Sequence, residues 1–359
     1  MSSRRYFRLF GTLLLSAIIA GCATPRTKRI KVDEALVEIE AQKQREIALE
    51  SHMEDQERLQ RVAFPLLVAA AAAAVGKIKV HATLGIVYAN KYNFDDDFQD
   101  TAVKILDMGD PLRIAQVIPD SPAARAGLEV GDVLGALDGT AVAVGKDAFE
   151  DTVKLFDDKL KAGHPIILTV YRDRQKKDIN ITPVEAFDCP VRLKQGERIQ
   201  ATADGKVVVI YKGMLRFARN DDELALVISH ELAHNTEGHT KAKMANYALG
   251  RLADIAAAAA GVNTRGFFGQ LGARAYSQDF EAEADYVGLY IMSRSAMNID
   301  DAAHFWRRMA VIHPGNIQRN YMNSHPATPE RFVAIEKTIG EIHGKRSAGQ
   351  ALVPEYKRK

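Results

Sequence analysis

The chain has 359 residues, 47% of them hydrophobic and 26% charged, with a formal net charge of +2. That is ordinary globular composition, long enough for two or three domains, and it lacks the basic excess of a nucleic-acid-binding surface. Arg4, Arg5 and Arg8 precede an apolar run at 9–20, closed by Ile19, Ala20, Gly21 and Cys22. This pattern reads as a signal peptide over 1–21 ending in a bacterial lipobox, and the run is too short to span a bilayer. Cleavage before Cys22 would leave a lipidated cysteine as membrane anchor. Ala23 in place of Asp favours the outer over the inner membrane, on the periplasmic face. Cys189 then stands alone, so no intramolecular disulfide can form.

Residues 22–79 read as a helical spacer. The stretch 33–61 is rich in Glu, Gln, Lys and Arg, without a heptad seam, and predicts a solvated helix. The alanine-rich run 62–76 contains Pro65 and is again too short for a span. It predicts a helix packed on the protein or resting on a bilayer surface.

From 80 to 187 the texture changes to strands and turns. Ser121 and Pro122 predict an N-cap and first helical residue, Gly127 a helix stop, and Asp138-Gly139 a tight turn. Phe149, Val153, Phe156 and Leu160 repeat on one helix face, which predicts a stripe against a core. Residues 165–172 and 177–183 predict two strands joined by a polar turn, and 90–111 a long mobile insertion. The run 118–134, Ile-Pro-Asp-Ser-Pro-Ala-Ala-Arg-Ala-Gly-Leu-Glu-Val-Gly-Asp-Val-Leu, resembles bacterial PDZ domains. The resemblance implies a peptide partner laid along a sheet edge, its terminal carboxylate on amides near Leu84, Gly85 and Ile86.

The third region, 188–344, carries the chemistry. Asn220 with Glu223 has capping-box spacing, and Asp221 and Asp222 suit the positive end of a helix dipole. The helix so started holds His230-Glu231-Leu232-Ala233-His234. Its two imidazoles at i and i+4 share a face and can grip one zinc ion, while Glu231 can act as general base without ligating. A third ligand is needed. Downstream, Glu281 and Asp285 also stand at i and i+4, so Glu281 could ligate while Asp285 orients a histidine. His239 is half a turn out of phase with His230 and is assigned a structural role, and Arg331 is expected to pair with an acidic neighbour. The five alanines of 254–261 do not make a membrane span. A basic tail from 345 to 359 reads as disordered.

These motifs, with Ser324-His325-Pro326-Ala327-Thr328-Pro329-Glu330-Arg331, resemble the HtpX and BepA-like gluzincin zinc metallopeptidases, relatives of the CaaX prenyl proteases. The resemblance implies an α+β chain, mainly helical in the peptidase domain. It makes His230, His234 and Glu281 ligands of one zinc ion, Glu231 the base, and Asp285 the group behind a ligand. It also implies that His325 helps stabilise the oxyanion or gates access. The expected activity is cleavage of misfolded or stalled envelope polypeptides; the alternative is a PDZ adaptor or assembly factor with a latent zinc site.

Overall fold

The structure, a computed structural model, describes residues 27–73, 78–275, 277–312 and 328–356. The signal segment, Cys22 and His325 lie outside these residues. Helix α1, Glu34–Ala73, passes through Pro65 without a break, so the expected solvated spacer and separate apolar helix are one element. Leu59, Val62, Ala63 and Leu66 on it are fully buried in the principal core. Burial at roughly 1.5–3 kcal/mol per large apolar side chain outweighs the roughly 3 kcal/mol that an internal proline costs. Arg58 on the same helix donates to the carbonyls of Leu215, Ala218 and Asn220 at 2.8, 2.9 and 2.8 Å.

The β-rich region follows: β1 (Val80–Thr83), β2 (Ile86–Ala89), α2 (Asp96–Leu106), β3 (Arg113–Val117), α3 (Pro122–Arg125), β4 (Val133–Leu137), β5 (Thr140–Ala141), α4 (Ala148–Lys159), β6 (Ile166–Arg172), β7 (Gln175–Ile181) and β8 (Val184–Phe187). The sheet runs β2-β3-β4-β6-β7 with β5 beside β4, while β1 and β8 pair antiparallel where the chain enters and leaves. Asp173 and Arg174, at φ 51° and 63°, make the two-residue turn between β6 and β7. Ser121 caps α3, its Oγ accepting from the Ala124 amide at 3.1 Å. Leu112, Ile114, Leu137 and Leu168 fill the core. The expected mobile insertion at 90–111 is instead an ordered turn and α2, whose Ala102 packs with Met108 and Leu49 of α1. A charge run at a helix N-terminus favours the helix as readily as it favours a solvated loop.

A second sheet of β9 (Val191–Lys194), β10 (Ala201–Ala203) and β11 (Val208–Tyr211) is ordered β10-β11-β9, leaving β10 at the edge. Helices complete the region: α5 (Lys212–Phe217), α6 (Asp221–Thr236), α7 (His239–Ala259), α8 (Phe267–Arg274), α9 (Ser277–Arg294), α10 (Ala302–Ile312) and α11 (Pro329–Ser347). Asn220 caps α6 through its Oδ1 and the Glu223 amide at 2.9 Å; the Glu223 carboxylate accepts from the Arg219 amide and pairs with Arg308. The tail is not free up to 356. Lys345 pairs with Glu341 and Glu355 at 3.1 and 3.2 Å, and the Tyr356 hydroxyl donates to Glu237.

Helix α9 lies against α6 at Gly288, where a Cβ would come within 3.1 Å of the His230 amide nitrogen and the Ser229 carbonyl. The glycine lets the two backbones approach, and that approach sets how far Glu281 stands from the histidines. Gly288→Val is expected to push the helices apart, lowering Tm by several degrees and weakening metal retention in a chelator titration.

Candidate metal centre and its cleft

Helix α6 is buried from Leu224 to Asn235, and His230 and His234 emerge on one side of it. Helix α9 brings Glu281 opposite them, fully buried. The His230 and His234 Nε2 atoms are 3.2 Å apart, with Glu281 Oε2 3.4 Å from the first and Glu281 Oε1 3.4 Å from the second. Four donors held 2.0–2.1 Å from a tetrahedral ion are roughly 3.3 Å apart along each edge. The three groups thus form one face of such a coordination shell, with the fourth corner left over.

The hydrogen-bond network assigns the tautomers. His230 Nδ1–H donates to Asp285 Oδ1 at 3.0 Å, which turns the Nε2 lone pair of His230 toward the centre. Asp285 is held in turn by Arg331, whose Nε and Nη2 donate to its two oxygens at 2.8 Å each. His239 Nε2–H donates to Glu283 at 3.0 Å, and its Nδ1 accepts from His234 Nδ1–H at 2.8 Å. Two lone pairs facing each other repel, and a cation reconciles them. Burial alone would lower the His230 pKa, yet the carboxylates of Asp285 and Glu281 beside it outweigh burial and push the imidazole up to about 9. Burial would likewise raise the Asp285 carboxyl, but Arg331 and His230 hold it below the usual range. The pocket favours positive charge, so the donor set fits a divalent metal.

Glu231 is buried on the same helix and faces a cleft of about 650 Å³ together with His234. Gln200, Thr202 and Ala203 at the edge strand β10 form one wall, and Thr240, Met244 and Tyr247 of α7 the other. The Asn235 Oδ1 accepts from the Gly205 amide at 2.7 Å and ties the strand turn to the metal helix. Trp306 covers His230, the ring centroids 5.2 Å apart, and Arg331 stacks over Trp306 at 5.4 Å. Neither Trp306 nor Glu283 stands out in the sequence, because their partners are 76 and 44 residues away along the chain.

Residues 191–339 match Peptidase family M48, and residues 83–182 match the PDZ domain family. The chain carries a family M48 peptidase domain behind a PDZ domain. It is 27% identical over 211 residues to the mitochondrial metalloendopeptidase OMA1 of Schizosaccharomyces pombe, covering 56% of this chain and 61% of that protein. It is 31% identical over 170 residues to the metalloprotease YcaL of Escherichia coli, 45% of this chain and 65% of the relative. The beta-barrel assembly-enhancing protease of Yersinia pestis is 28% identical over 133 residues, 33% of this chain and 27% of the relative. In each case the chain spans less than two thirds of the relative.

β2 and α4 of the PDZ domain bound a cavity of about 890 Å³ that is also lined by Gln60, Phe64 and Leu67 of α1, by β1 and β8, and by the segment leading into β9. Gly85 and Ile86 line it, whereas the Leu84 side chain is buried in the PDZ core. Gly85 sits at φ +76°, and a Cβ there would fall 2.3 Å from Ser121 Cβ and 3.0 Å from Phe64 Cζ of α1. Phe149, Val153, Phe156 and Leu160 also line the groove. The expected core-facing stripe holds for Leu160, buried in the PDZ core, and for Phe156, which packs against it, whereas Phe149 and Val153 are each 37% exposed. An apolar stripe marks a face that contacts something apolar, which here includes a ligand groove. His325 and Cys22, by contrast, lie outside the described residues.

The Asp285–Arg331 pair gives a direct check of the metal face. Asp285→Asn keeps the shape but removes the acceptor charge that fixes His230, and metal affinity in a competition titration is expected to fall about 10–100-fold.

Proposed function

We propose that this chain is a zinc-dependent endopeptidase of the bacterial envelope that hydrolyses misfolded or stalled envelope polypeptides, with the PDZ domain recruiting them. The observation that carries the reading is the triangle of His230, His234 and Glu281 at tetrahedral spacing, with Glu231 beside it on the cleft. His230, His234 and Glu281 would hold zinc, which when bound polarises a carbonyl and acidifies water.

The chain's own residues supply the rest. Glu231 takes a proton from the attacking water and returns it to the leaving amine, as a buried carboxylate on the cleft wall can. The edge strand β10 offers unpaired backbone groups to an extended polypeptide, so the scissile bond can be aligned by backbone contacts rather than by one side chain. The PDZ groove takes an extended segment or chain end, with Gly85 and Ile86 at its mouth. A lipid on Cys22 would keep the enzyme at the membrane, on the periplasmic face. A relative whose name is beta-barrel assembly-enhancing protease supports the envelope setting.

The competing reading is a PDZ adaptor with a latent site. Purified full chain is expected to contain one zinc and to cleave reduced casein. Glu231→Gln should keep the zinc and lose at least about 100-fold in rate. If the variant binds zinc and complements a deletion strain as well as wild type does, the adaptor reading replaces the peptidase.

A further inference from the structure

Between the two halves of the metal site the chain makes a helical hairpin of α7 and α8 with hardly any core of its own. Among the described residues of these two helices only His239, Asp254 and Gly269 are buried. The helices touch backbone to backbone. A Cβ at Gly250 would fall 1.9 Å from the Phe268 carbonyl oxygen, and one at Gly272 would fall 2.1 Å from that of Asn246. This close crossing leaves the large apolar side chains outside. Met244, Leu249, Leu252, Ile255, Phe267 and Leu271 are each more than half exposed. On α7, at 100° per residue, Met244, Leu249, Leu252 and Ile255 share a face of about 140° with Ala248, Ala256 and Ala259, opposite the side that meets α8.

The charges on the hairpin are mostly positive. Residues 239–274 carry Lys241, Lys243, Arg251, Arg265 and Arg274 against a single carboxylate, Asp254. That carboxylate is turned inward, accepting from the Thr264 hydroxyl at 2.5 Å and the Phe268 and Gly269 amides at 3.1 and 2.9 Å, and it pairs with Arg251 at 3.5 Å, which leaves Lys241, Lys243, Arg265 and Arg274 as the hairpin's excess positive charge. Apart from polar residues such as Asn263 and Gln270, the exposed surface is apolar, and its exposed charges are cationic. No described helix of this chain is long and apolar enough to cross a membrane.

We propose that the α7–α8 hairpin docks on an anionic bilayer surface, its apolar side chains entering the headgroup boundary and its lysines and arginines meeting lipid phosphates. Exposed apolar area combined with net positive charge is the composition that such surfaces select. An extended polypeptide suits the hairpin less well, because helices have no free backbone groups to pair with it, whereas the edge strand in the cleft does. The base of the hairpin, at Thr240, Lys243, Met244 and Tyr247, is also a wall of the cleft. Docking would bring the cleft mouth to the headgroup layer, where polypeptides leaving or entering the membrane are exposed.

The test uses the full chain and does not depend on peptidase activity. A polarity-sensitive bimane is placed at the hairpin tip through Phe267→Cys and, as a control remote from the hairpin, through Val130→Cys. Wild type treated in the same way gives the background from the native cysteines. With vesicles of phosphatidylcholine containing about 30% phosphatidylglycerol, emission from position 267 is expected to move to the blue while that from 130 stays fixed. Exchanging Lys241, Lys243, Arg251 and Arg265 together for Gln, with Tm unchanged, should weaken the apparent lipid affinity about tenfold or more. The proposal is overturned by no shift at 267, by an equal shift at 130, or by a four-Gln variant that binds as tightly as wild type. A shift with reduced casein but not with vesicles also overturns it and assigns the face to polypeptide.

Discussion

The structure depends on the contact between α6 and α9 at Gly288. Two imidazoles on one helix and one carboxylate on another become a metal face only if the helices approach to within a glycine's reach. Everything around the contact serves to hold that spacing. Asp285 sits one turn beyond Glu281 on α9 and grips His230, and Arg331 from α11 neutralises Asp285 with two hydrogen bonds. A buried carboxylate left unpaired would cost several kcal/mol, so the arginine is what makes the acid tolerable there.

The first helix binds the two domains into one arrangement. Arg58 satisfies carbonyls just ahead of α6 and pairs with Asp221 in its first turn at 3.1 Å. Phe64, less than two turns farther along, lies against Gly85 at the mouth of the PDZ groove. The groove wall also includes Asp188, Pro190 and Val191, where the peptidase domain begins. The cavity beside the PDZ groove and the start of α6 thus share one helix.

Much of this was legible in the residues. The Asn220 cap, the i,i+4 histidines and the i,i+4 acids are local signals, and local signals survive folding because helix geometry is fixed. What was not legible depends on distant partners. That Arg331 would find an acid could be expected, but that the acid is Asp285 could not, since 46 residues separate them. Extending the phase of α6 gives His239 a structural role on the face away from the metal, but α6 ends before Gly238, at φ +71°, and His239, which starts a new helix, plays that structural role beside His234 instead. It is no metal donor, yet it fixes the tautomer of His234. The burial of α1 was hidden for a similar reason: its apolar residues are diluted by charge, and only the surface they meet shows that they form a core face.

On the proposed function, two imidazoles and one carboxylate of this chain hold zinc. X-ray absorption at the zinc edge of the purified full chain addresses it most directly. The structure predicts imidazole nitrogens from His230 and His234 and oxygen donors, all at about 2.0–2.2 Å. A chain purified with no zinc and unable to take it up, or a first shell with sulfur at about 2.3 Å, would contradict the account.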